Sequence, residues 1–156
     1  QGVPEPVARV SAVAAPVVVA RDDQAEEPVD IARWADLAIA VLAAEGEAGE
    51  LNLLFVDEAA MAVLNQDHMG HDGPTDVLSF SIDGPGAGPG GLLGDVVVCP
   101  AVARRNAPDH AGTYEDEVAL LVVHGVLHVL GHDHAEPDEA AVMRQREVTH
   151  LERFGR

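Results

Sequence analysis

The segment "EVALLVVHGVLHVLGHDH", residues 117–134, constrains the fold more than any other part of the chain. From Val118 to Leu130 every side chain is apolar except at His124, Gly125 and His128. That run is too short to cross a bilayer, so a helix apolar on all sides must lie inside a folded core. Thr113 ahead of it is an N-cap, with Glu115, Asp116 and Glu117 in the first turn. Gly131 can take a left-handed conformation and end the helix. The rest of the chain has to be built around this one buried element.

The two histidines inside the run are its anomaly. His124 and His128 are four apart, so their imidazoles stand one above the other on a single face. Left unpartnered in an apolar setting they would be costly to desolvate. A divalent metal that takes both lone pairs removes that cost. Beyond Gly131 the chain turns back, and His134 reaches the same metal from outside the helix. His132 is the alternative third ligand. The spacing H-x-x-x-H-x-x-G-x-x-H is similar to that of the metzincin zinc proteases and favours His134, leaving His132 to face solvent or substrate. Three imidazoles with a fourth position left to water form the open arrangement of a catalytic zinc site. Asp133 is placed to orient a ligand imidazole. His68, His71, His110 and His150 fall in loops or on a surface helix and read as exposed.

One metzincin residue is missing. Gly125 stands where those proteases carry their glutamate general base. Zinc alone lowers the pKa of a bound water to about 7. Amide hydrolysis also needs a proton for a poor leaving group, which disfavours a peptidase. Attack on a phosphodiester can be assisted by a Lewis acid that stabilises charge on the phosphoryl oxygens.

The remaining elements follow from periodicity and punctuation. "PVVVA" at 16–20 predicts a strand, and "RDDQAEEP" a solvated loop. "VDIARWADLAIAVLAAEG" predicts a helix capped by Asp30 and stopped by Gly46. Strands are expected at 50–57, 75–82 and 92–100, and Asp57 caps a short helix that turns Met61 and Leu64 inward. Residues 83–91 are turn-rich. A short helix near 101–110, the apolar helix and an amphipathic C-terminal helix with Pro137 in its first turn complete the chain. The order βαβαββααα does not suit a doubly wound fold. It suits an α+β architecture, a mixed sheet of about four strands with packed helices and a zincin-like central metal-binding helix. Residues 1–15 read as a loose leader and 16–156 as one domain. No signal peptide is read in the leader, which points to the cytoplasm. The single cysteine, Cys99, excludes an internal disulfide and a cysteine-based zinc cluster; it reads as a small buried hydrophobe.

Charge limits the partners. The formal net charge is −18, with nine arginines and no lysine, so long-range steering toward a polyanion is unfavourable. Residues 1–99 hold three arginines against seventeen acids, and residues 100–156 hold six against ten. Nucleic-acid contact is therefore expected from local arginines in the second half: first Arg104 and Arg105, then Arg144 and Arg146.

Three motifs carry a family resemblance. "HGVLHVLGHDH" at 124–134 resembles the H-G-x-L-H-L-x-G-x-D-H signature of the YbeY family of rRNA maturation endoribonucleases, with Val129 where leucine is usual. "GPTDVLSF" at 73–80 resembles that family's second motif, and "GDVVVCP" at 94–100 its G-D-I-x-I-x strand. Order and spacing agree over roughly 16–156. The resemblance implies a zinc-dependent single-strand endoribonuclease that matures the 3′ end of small-subunit ribosomal RNA and takes part in ribosome quality control. Its partners would be ribosomal RNA and the small subunit, with neither membrane nor DNA. One Zn2+ per chain would sit on His124, His128 and His134. The family often places an arginine just ahead of T-D-V-L-S-F, and Met69 occupies that place here. The catalytic group beyond the metal and its water is thus unassigned, with Arg104 or Arg105 as substitutes. Ser81 replaces the proline of the family's S-F-P. The resemblance sets the "PTDVLSF" strand at the floor of the cleft. Two other functions compete: a ribosome-biogenesis binding factor with a mainly structural metal, and a general metallohydrolase.

Overall fold

Residues 14–155 are described by a computed structural model; residues 1–13, most of the expected leader, lie outside the described residues. The elements appear in the expected order: β1 (Val17–Asp23), α1 (Ile31–Ala44), β2 (Glu50–Val56), α2 (Glu58–Met69), β3 (Val77–Ser81), β4 (Leu92–Val98), α3 (Pro100–Asn106), α4 (Tyr114–Val129) and α5 (Pro137–Phe154). Their ends carry the caps that the sequence offers. Asp30 Oδ1 accepts the Arg33 amide at 3.2 Å, Asp57 Oδ1 the Ala60 amide at 2.8 Å, and Thr113 Oγ1 the Asp116 amide at 3.1 Å. Each satisfies a donor that the first helical turn leaves unpaired. Pro100 and Pro137 start α3 and α5, where the missing N–H costs nothing.

The sheet order is β1-β2-β4-β3, with β1, β2 and β4 parallel and β3 antiparallel at one edge. It is a mixed sheet in an α+β fold, as the sequence predicted. Alternation sorts the side chains. Leu51, Leu53, Phe55, Val96 and Val98 face the main core with α1 and α4. Val56, Leu78, Val97 and Cys99 face a smaller core with Met61 of α2 and Val102 of α3. α4 lies in the middle, and Val118, Val122, Val123, Val126, Leu127 and Val129 have no exposed surface.

β1 departs from expectation. It continues through Arg21, Asp22 and Asp23, which pair with Leu54, Phe55 and Val56. The charged stretch read as loop is strand because the main chain finds a ladder on β2. At a sheet edge such side chains can point to water and discourage further pairing.

Candidate metal centre

α4 is held to the β3 edge by two unusual hydrogen bonds. The Ser79 hydroxyl donates to the Gly125 carbonyl and the Ser81 hydroxyl to the Val129 carbonyl, both at 2.9 Å. The approach is close. A Cβ built on Gly125 would stand 2.5 Å from a Val96 methyl and 3.3 Å from Ser79 Oγ. The position that bears the metzincin glutamate is thus pressed against the sheet. A glutamate there would have no room, so the missing base follows from packing as well as from chemistry.

The adjoining face of the same turns carries His124 and His128. Gly131, at φ +95°, ends the helix and sends the chain back toward it. His134 then closes a triangle with them. Ring centroids lie 4.6 Å apart for His124 and His128, 5.0 Å for His128 and His134, and 5.7 Å for His124 and His134. One nitrogen from each of the three lies within 4.8 Å of the others, a spacing that could hold a metal ion. His132 is not in the triangle; its Nε2 is 3.9 Å from Glu45.

The donors suit a divalent cation. Burial, reinforced by the neighbouring His124 and His134 rings, pushes His128 below its ordinary pKa of 6.5. It is therefore neutral at pH 7 and keeps a lone pair for a metal. His124 has its tautomer set from behind: its Nδ1 lies 2.5 Å from Glu147 Oε2 on α5. A carboxylate can only accept there, so Nδ1 carries the proton and Nε2 is free to ligate.

Glu147 is the residue that sequence reading missed. Asp133 was expected to orient an imidazole, but its Oδ1 accepts the backbone amide of His134 at 2.7 Å and fixes the loop instead. A signal for Glu147 existed. It sits four residues from both Met143 and Leu151, inside the apolar stripe of an otherwise charged helix.

The other candidates lie elsewhere. Arg104 pairs with Glu27 at 2.5 Å and covers the Tyr114 ring, and Arg105 pairs with Glu58 at 2.7 Å. Neither lines the cavity of about 610 Å³ that includes His124 and His134 in its wall. Met69 is exposed at the end of α2 and does not line it either. Asp76 and Val77 do line it, in accord with the expected role of this strand as a floor. His68, His71 and His110 are exposed as expected, although His110 Nδ1 bonds the buried Glu117 at 2.8 Å. His150 corrects the reading. It is 3% exposed and its Nε2 lies 2.6 Å from Glu45 at the end of α1. A surface-helix pattern hid a contact made between distant parts of the chain.

A protein-family model described as "Endoribonuclease YbeY" matches residues 20–155. The chain belongs to this family. Curated relatives agree, each named Endoribonuclease YbeY. One from Thermobifida fusca is 50% identical over 121 residues, covering 72% of this chain and 77% of its own. One from Cutibacterium acnes is 49% identical over 100 residues, covering 60% of this chain and 64% of its own. The fold is similar to the solution structure of TM1509 from Thermotoga maritima, with TM-score 0.64 and 25% identity over 88% of this chain and 89% of that one. The endoribonuclease reading of the sequence, a hydrolase rather than a binding factor, therefore holds. A YbeY chain is the setting in which a histidine triangle without a protease base makes chemical sense.

Proposed function

We propose that this chain is a zinc-dependent single-strand endoribonuclease with His124, His128 and His134 as the metal ligands, acting on small-subunit ribosomal RNA in the cytoplasm. The observation that carries the reading is the convergence of three imidazole nitrogens within 4.8 Å, two of them on a buried helix whose sheet side has no room for a carboxylate base. Bound there, the metal supplies Lewis-acid stabilisation of charge on a phosphoryl oxygen. The protein's part is to hold three neutral nitrogens in place. Gly131 returns His134 to the helix, Asp133 pins the backbone that carries it, and Glu147 fixes the His124 tautomer. Three ligands leave an open position, as catalytic rather than structural zinc sites do. No described helix is long and apolar enough to cross a membrane.

The test combines metal content with cleavage. Purified protein should carry about one equivalent of zinc, and metal-stripped protein should lose and then regain cleavage of a single-stranded ribosomal RNA segment on reconstitution. His128→Ala should neither hold the metal nor cleave. Full metal retention and cleavage in that variant would overturn the assignment.

A further inference from the structure

The cavity of about 610 Å³ runs between α4 and the inner face of α5, and the histidine triangle stands at its wall through His124 and His134. Leu120, Leu121, Met143 and Val148 supply apolar lining. Its volume is in the range of about 300–1,000 Å³ that small-molecule sites occupy. Three charged groups other than histidine line it: Asp76, Glu147 and Arg144. Glu147 is committed to His124.

Arg144 is committed to nothing that the structure describes. Among the described residues, six of the seven arginines rest against an acid or an aromatic ring. Arg21, Arg104, Arg105 and Arg146 face Asp23, Glu27, Glu58 and Glu45, and Arg33 and Arg153 lie over Trp34 and Phe154. Arg144 is the exception. In a chain with 27 acids and nine arginines, it is the one guanidinium among the described residues with neither an acid nor an aromatic ring against it. It also stands in a telling place. Arg144 precedes Glu147 by three residues on α5, about 4.5 Å along the helix axis, and Glu147 touches His124.

We propose that this cavity is the subsite for the nucleotide next to the scissile bond, with Arg144 holding its phosphate and the accessible aliphatic wall of Leu120 and Val148 receiving its base. The inference rests on the endoribonuclease reading and adds a substrate contact to it. A guanidinium binds a phosphate through two parallel charge-assisted bonds, which fixes orientation as well as strength. The apolar wall takes the face of a base without reading its edge. It gives the site a grip on RNA that does not depend on long-range attraction.

The experiment uses the metal-loaded chain and a fluorescein-labelled single-stranded oligoribonucleotide made uncleavable by 2′-O-methyl groups. Binding is followed by fluorescence anisotropy across a salt series. Arg144→Ala should keep its metal and melting temperature yet bind about tenfold more weakly or worse, as loss of a charge-assisted contact implies. Its log–log salt slope should shrink by about 0.7, the value for one phosphate contact on a single strand. Arg144→Lys should recover part of both, and Arg21→Ala should match the parent. Parent-like affinity and slope in Arg144→Ala would overturn the subsite while leaving the ribonuclease reading intact. So would loss of metal in that variant, because Arg144 would then support the metal centre rather than the substrate. An Arg104/Arg105 double variant that abolishes binding while Arg144→Ala retains it would move the contact to α3. If the parent does not bind RNA, or His128→Ala cleaves like the parent, the ribonuclease reading fails and takes the subsite with it.

Discussion

Replacing Glu147 should weaken the metal centre without touching a ligand. The carboxylate lies 2.5 Å from His124 Nδ1, with 12% of its side chain exposed against 26% for the histidine. A contact so sheltered is poorly screened by salt. Without it, His124 loses both the partner that selects its tautomer and the negative charge that makes Nε2 a stronger donor. Comparable carboxylate–histidine–metal contacts are worth roughly 10–100-fold in metal affinity, about 1.4–2.8 kcal/mol. Glu147→Ala should fall in that range. Glu147→Gln should fall short of it, because the amide oxygen still accepts from Nδ1–H but carries no charge. Asp133→Ala is the informative comparison. Its carboxylate bonds the His134 amide in an exposed loop, so its removal should cost less than Glu147→Ala. The assay is competition for zinc against a chelator of known affinity, with circular dichroism to confirm the fold. Glu147→Ala with metal affinity within about twofold of the parent, or an Asp133→Ala loss larger than that of Glu147→Ala, would refute the reasoning.

Gly125→Ala should destabilise the fold by about 1–3 kcal/mol, the usual cost of overpacking, because its methyl would meet Val96 at 2.5 Å; urea unfolding measures it, and parent-like stability would show that the α4–β4 contact yields easily. Metal-free protein should lose stability as pH falls below about 6.5. Unfolded His128 takes up its proton there, whereas the folded histidine, held lower by burial and its neighbours, does so only at lower pH, so the unfolded state binds more protons in between. Melts between about pH 7.5 and 5.5 should therefore slope less in metal-free His128→Gln than in the parent. His150→Leu should cost about 1–3 kcal/mol by leaving the sheltered Glu45 carboxylate without its 2.6 Å partner, which thermal unfolding would register; no change would mean that Arg146 and His132 take over.

The elements were legible because they are local. Asp30, Asp57 and Thr113 cap the helices that their own following residues propose, and alternation in β2 and β4 is decided within each strand. The histidine triangle was legible for the same reason: four residues of helix and one glycine turn fix its spacing. What escaped notice is contact between distant segments. Asp22 and Asp23 read as loop by composition, and only the ladder on β2 makes them strand. Asp133 is adjacent to His134 and so invited the second role at the metal, yet adjacency put its carboxylate on the neighbouring amide. Glu147 lies 23 residues from His124 and meets it only because α5 packs along α4. Arg104 and Arg105 were chosen for a region less acidic than the rest. Glu27 and Glu58, far away in sequence, come to meet them.

The pairing of Arg104 and Arg105 with acids bears on how so acidic a chain can act on RNA. A bulk charge of −18 cannot draw in a polyanion, and the acids that pair with four of the seven described arginines weaken the attraction further. The cavity is different in kind. Its charged lining residues are Asp76, Glu147 and Arg144, which sum to −1 with the histidines neutral. A divalent cation held by three neutral imidazoles brings this to +1. The sign of the local potential at the cleft is thus set by the metal, while the rest of the surface repels. At separations beyond the Debye length of about 8 Å in physiological salt, that distant repulsion is largely screened. Within the cleft, the metal and Arg144 act on phosphate at contact distance, where charge-assisted bonds keep their strength. Metal occupancy then governs substrate affinity as well as chemistry, and an acidic surface discourages RNA from settling anywhere but at the cleft.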